Sequence, residues 1–129
     1  MIARLAAKRA DREAIVKLRE CVTNMQACVG TGYTNGYAKY DLTFHMALAD
    51  ASGNSVLAQI LEVIRDSMLR FMQDFTQIPG VPKTALRHHT AIVDAVARHD
   101  ARDAERCMKE HIRCVIEILR NRCEYEMDI

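Results

Sequence analysis

Asp41 and His45 stand four residues apart in Tyr40-Asp41-Leu42-Thr43-Phe44-His45-Met46-Ala47-Leu48, a spacing that puts both side chains on one face of an α-helix. Leu42, Phe44, Ala47 and Leu48 give the same stretch an apolar character. The helix should therefore be largely covered by protein, and a buried carboxylate or imidazole must then find a partner or coordinate a metal. Two other side chains could converge on the pair: His89 in Arg87-His88-His89-Thr90 and His111 in Glu110-His111-Ile112. Three imidazoles and a carboxylate from separate helices of a bundle make a donor set for a divalent metal, since neutral imidazole suits Zn, Ni, Cu or Fe and a carboxylate oxygen completes the set. The same residues also read as core or surface histidines satisfied by hydrogen bonds, with Asp41 the partner of one.

A rival ligand set shares His111. Cys107, His111 and Cys114 lie on one helix face, and thiolates bind zinc tightly. Three ligands on consecutive turns of one straight helix rarely all reach one ion, and such cysteines are more often small core residues. His88 and His99 read as exposed or capping residues. No motif supports a nucleophilic serine or cysteine, and the histidine set leaves no spare general base.

Those side chains need a scaffold, and 129 residues suffice for one domain that buries roughly two thirds of its unfolded surface. Half the residues are hydrophobic, 27% are charged, and two prolines and five glycines leave room for long helices. A net charge of +1 with interspersed signs offers no electrostatic footprint for nucleic acid or an anionic membrane. There is no apolar run of about eighteen residues, and Arg4, Lys8 and Arg9 sit inside a helical pattern, which predicts neither a membrane span nor a signal peptide. Five cysteines without a CxxC spacing point to a reduced cytoplasm rather than a disulfide framework.

Periodicity predicts an all-α fold of about six mostly antiparallel helices. The first spans Ile2 to Ala10, and Asp11 caps a second that carries Ile15, Val16, Leu18, Val22, Met25 and Val29. Gly30 to Gly36 concentrates three glycines and predicts a loop. Its Gly-x-Gly follows no strand and lacks the third glycine spacing of a dinucleotide fingerprint. The Asp41 helix ends near Ala51-Ser52-Gly53, with Gly53 as its C-terminal cap. Asn54 or Ser55 caps a long helix with Val56, Leu57, Ile60, Leu61, Ile64, Met68, Leu69 and Met72 as its apolar face, stopped by Ile78-Pro79-Gly80-Val81-Pro82. A helix from Thr84 to Arg98 follows, then one from Ala101 to about Cys123 with Asp100 as its cap.

In this order, Asp41-x-x-Phe44-His45-x-x-Leu48, Gly53-Asn54, His89-x-x-Ile92-x-x-Ala95 and Asp100-x-x-x-Ala104-x-x-x-Met108-x-x-His111 resemble the ligand-sensing FCD domain of GntR-type transcription regulators. Ala3-Arg4-Leu5-Ala6-Ala7 fits that domain's first helix, so the resemblance covers nearly the whole chain, 1–129. It implies a helical bundle around a central cavity. In the metal-binding members an aspartate and three histidines hold a divalent ion, which in turn binds the carboxylate of a small organic acid. Carried over by motif, the ligands would be Asp41, His45, His89 and His111, the ion zinc, nickel or another transition metal, and Asn54 a residue close to the effector.

The resemblance further implies a bacterial, cytoplasmic, homodimeric regulator that senses and does not catalyse. The family's winged helix-turn-helix is absent from these residues, so DNA binding would belong to a parent protein, and the chain would be either a fragment or a free-standing sensor. Two other functions use the same features differently: a small metallo-hydrolase in which the ion activates water, and a metal-free helical interaction domain.

Overall fold

The computed structural model describes residues 1–127. Seven helices and no strand occur among the described residues: α1 (Ile2–Arg9), α2 (Arg12–Thr31), α3 (Thr34–Ala51), α4 (Ser55–Val63), α5 (Arg65–Phe75), α6 (Val81–Ala97) and α7 (Ala101–Met127). No helix among them is long and apolar enough to cross a membrane.

The predicted caps explain most boundaries. Asp11 accepts a hydrogen bond from the Ala14 N–H at 2.8 Å, Asn54 from the Leu57 N–H at 3.1 Å, and Asp100 from the Asp103 N–H at 3.0 Å, each satisfying a donor that the first helical turn leaves free. Gly53 closes α3 with φ +70°, a left-handed conformation that costs glycine little.

α1 is built on alanine. Ala3, Ala6 and Ala7 are fully buried, and such small side chains let one short helix lie against α3, α6 and α7 together. α6 and α7 run antiparallel: His88 meets His111 near one end of the pair and Arg98 meets Asp103 at the other. The main core joins α1, α2, α3, α6 and α7 through Leu18, Met25, Phe44, Leu48, Ile92 and Val96. A second, smaller cluster sets Met72 against Ala38 and Leu42 and so seats α5 on α3.

Three expectations are corrected. Residues 30–36 do not form a loop, because α2 continues to Thr31 and α3 begins at Thr34. Gly30 and Gly36 are helical, and a Cβ at Gly36 would meet the ring of the exposed Tyr33, which would have to shift. Second, α6 starts at Val81 rather than Thr84. Gly80 takes φ +85° ahead of it and Pro82 falls in the first turn, where its missing N–H costs no bond.

The third correction matters most for the site. The long helix expected after Asn54 is broken at Ile64, which takes φ −96° and ψ 9°, and its apolar residues are not all core. Val56, Ile60, Val63 and Ile64 are exposed, and α4 buries no residue fully. Both α4 and α5 pack on α3.

Candidate metal and effector site

α3 packs on α1, α2, α4 and α5, while α6 and α7 pack on each other and on α1, and α6 also packs on α2. Between these groups the facing side chains are those of Asp41, His45, His89 and His111. The ring centroids of His45 and His89 are 5.3 Å apart, those of His89 and His111 4.7 Å, and those of His45 and His111 5.9 Å. One nitrogen from each of these three histidines lies within 4.8 Å of the others. Asp41 Oδ1 approaches His45 Nε2 at 3.1 Å and His89 Nε2 at 3.4 Å. All four predicted positions therefore converge.

The arrangement leaves two donor atoms without partners. Asp41 Oδ1 and His89 Nε2 are buried and neither makes a hydrogen bond, despite their short approach. Such atoms are costly inside a protein unless something else takes their lone pairs. Three imidazoles and a carboxylate, with one atom of the carboxylate and one of an imidazole left without a hydrogen bond 3.4 Å apart, fit a divalent cation.

The electrostatics fit as well. Burial pushes His89 down to about 3, against the opposing pull of Asp41. Burial, with His45 nearby, lowers His111 to about 4. Both are neutral at physiological pH, the state in which imidazole can donate a lone pair. Burial alone would raise Asp41, but contact with His45 and the charges available on the surrounding imidazoles hold it below the usual carboxylate range.

Two residues beyond the predicted set complete the site. Tyr37 Oη lies 3.4 Å from His89 Nδ1. For His89 Nε2 to present its lone pair, Nδ1 must carry the proton and donate it to that oxygen, and such outer hydrogen bonds orient metal-binding imidazoles. Burial raises the Tyr37 phenol, so it stays neutral. The signal was in the sequence: Tyr37, Asp41 and His45 recur at four-residue spacing on one helix face.

His88 corrects an expectation. It is half-buried rather than exposed, and its Nδ1 lies 3.1 Å from His111 Nδ1. That contact occupies Nδ1 of His111 and leaves its Nε2 for other duty. His99 is exposed at the α6 terminus with φ +56°, its Nδ1 on the Ala7 carbonyl at 2.9 Å, as a capping role predicts. Cys107 and Cys114 do not gather around His111; among the described residues only His45, His89 and His111 approach closely enough.

Asp41, His45 and His111 open onto a cavity of about 520 Å³, within the range of small-molecule sites, about 300–1,000 Å³. Its remaining wall is largely aliphatic and aromatic, drawn from α4, α5 and α7 with Ile2, Leu48, Val81 and Ala85, and among the described residues includes no lysine or arginine side chain. Asn54 is not part of this wall: its Oδ1 caps α4, three residues before Leu57, which is.

Residues 1–113 match the family described as the FCD domain. The chain is 29% identical over 119 residues to the Uxu operon transcriptional regulator of Escherichia coli K12, covering 88% of this chain and 46% of that protein. It is 28% identical over 123 residues to the HTH-type transcriptional regulator LutR of Bacillus subtilis 168, covering 92% and 55%. With the HTH-type transcriptional repressor NanR of Enterobacter sp. 638 it shares 30% identity over 81 residues, 61% of this chain and 31% of the other. The aligned part spans between about a third and just over half the length of these relatives.

Proposed function

The chain belongs to the FCD domain family of GntR-type regulators, and from that premise we propose that it senses a small organic acid through a divalent metal ion held by Asp41, His45, His89 and His111. The observation that carries this reading is the pair of buried, partnerless atoms, Asp41 Oδ1 and His89 Nε2, between helices that face each other across the site. The donor set of three nitrogens and one oxygen suits zinc, with nickel or another transition metal as alternatives. Bound there, the ion supplies the positive charge that a carboxylate needs, which no lysine or arginine side chain in the cavity wall provides. The chain's own residues do the rest. Tyr37 fixes the tautomer of His89, His88 orients His111, and Asn54 secures the start of α4 and hence Leu57 at the cavity wall.

The function is binding without turnover, and it controls DNA. The relatives are named as transcription regulators, two of them HTH-type, which supports the reading that DNA is bound through a separate winged helix-turn-helix domain, in the cytoplasm and by a homodimer that reads two half-sites. Effector binding shifts the regulator only by the difference in affinity between its two arrangements.

Metal content after dialysis against limiting zinc tests the ligand set. His89→Ala and His111→Ala should lose the ion, and His88→Ala should weaken it about ten- to a hundredfold, as removal of an outer hydrogen bond does. His99→Asn should retain it, since asparagine tolerates positive φ. Full zinc occupancy in His89→Ala would defeat the proposal.

A further inference from the structure

Resting on the reading of the cavity as an acid-binding site, we propose that its effector is a monocarboxylate with a hydrocarbon body, an alkyl or aryl acid of medium length, and that polyhydroxylated acids are excluded. The polar groups of the wall are gathered at one place. Asp41, His45 and His111 face the cavity together, whereas Leu57, Leu61, Phe71, Phe75, Ile112 and Val115 line the remainder. Among the described residues the wall has one hydroxyl, that of Thr76, which is buried and already donates from Oγ1 to the Met72 carbonyl at 2.7 Å. Ligand hydroxyls placed along this wall would surrender their water and find no partner, a loss that discriminates strongly against them.

The apolar wall also has something to gain. Phe71 and Ile112 remain 46% and 45% exposed although they border the cavity. A hydrocarbon body would take this surface out of water, while a two- or three-carbon acid would leave most of it wet. Each buried methylene should therefore tighten binding about fourfold.

Calorimetric titration of the zinc-loaded chain with acetate, butanoate, hexanoate and octanoate reads this directly, with gluconate as the hydroxylated counterpart of hexanoate. Kd should fall about sixteenfold for each two-carbon step until the cavity is full, and gluconate should bind no better than acetate. Phe71→Asn should lower the gain per added carbon. A flat series in the unsubstituted chain, or gluconate tighter than hexanoate, overturns the proposal. Repeating the series with chelator separates the two readings. A slope that persists at undiminished affinity without zinc upholds the hydrocarbon body and removes the ion as anchor; no binding by the zinc-loaded chain removes both.

Discussion

α2 and α4 differ sharply in how they are buried within one small bundle. α2 places Leu18 and Met25 at zero exposure in the main core, whereas α4 buries no residue fully and leaves Val63 85% exposed. With α5, which is seated on α3 by the smaller cluster around Met72, α4 supplies much of the apolar cavity wall. The difference divides the bundle: α3, α6 and α7 carry the clustered Asp41, His45, His89 and His111, and the less buried α4 lies on the cavity side with α5. Regions with few buried contacts open at low cost, and elements that move on binding are drawn from them.

The contrast can be broken most simply in the core. Leu18→Ala should cost about 3–5 kcal/mol by urea unfolding, the loss expected for a fully buried leucine in a tightly packed interior. A loss below about 1 kcal/mol would mean that α2 is no more firmly held than α4 and would erase the division.

Acid should produce the next effect. His89 and His111 are held at about 3 and about 4 in the folded chain, below the roughly 6.5 of an unfolded histidine. The unfolded chain thus takes up protons first as pH falls. Stability is complete above about pH 6.5 and declines below it by about 1.4 kcal/mol per pH unit for each histidine, until the folded values are approached. Chelated protein should show this as a falling urea midpoint between about pH 6.5 and 5.5. An unchanged midpoint would mean that these imidazoles are already protonated, or open to water, in the fold. The smallest effect sharpens the other side: Val63→Ser should change stability by no more than about 0.5 kcal/mol, as exposed substitutions do. A larger loss would reveal that α4 is covered in solution.

The same division explains what could be read from the sequence. Asp11, Gly53, Asn54 and Asp100 announce helix ends through local chemistry, and local chemistry is what a sequence displays. The break at Ile64 has no glycine or proline and lies in a good helical pattern, so nothing local announces it. The apolar residues of 56–64 suggested core because periodicity reports which side is apolar and not what covers it. Asp41, His45, His89 and His111 were legible as a group because few other residue types could serve. His88 was not, since only the antiparallel pairing of α6 with α7 decides which of two adjacent histidines reaches Nδ1 of His111 and which reaches Asp41.

His111 lies in the last helix, and that position gives the site a place in time. A chain made from its N-terminus at about 5–20 residues per second presents Asp41, His45 and His89 a second or more before the third histidine of the cluster is synthesised. Until α7 docks on α6 and α1, the earlier side chains share only a partial set of donors, open to water on the side that α7 will close. A domain still being translated therefore cannot report on its ligand, and sensing begins only once the final helix has folded against its neighbours.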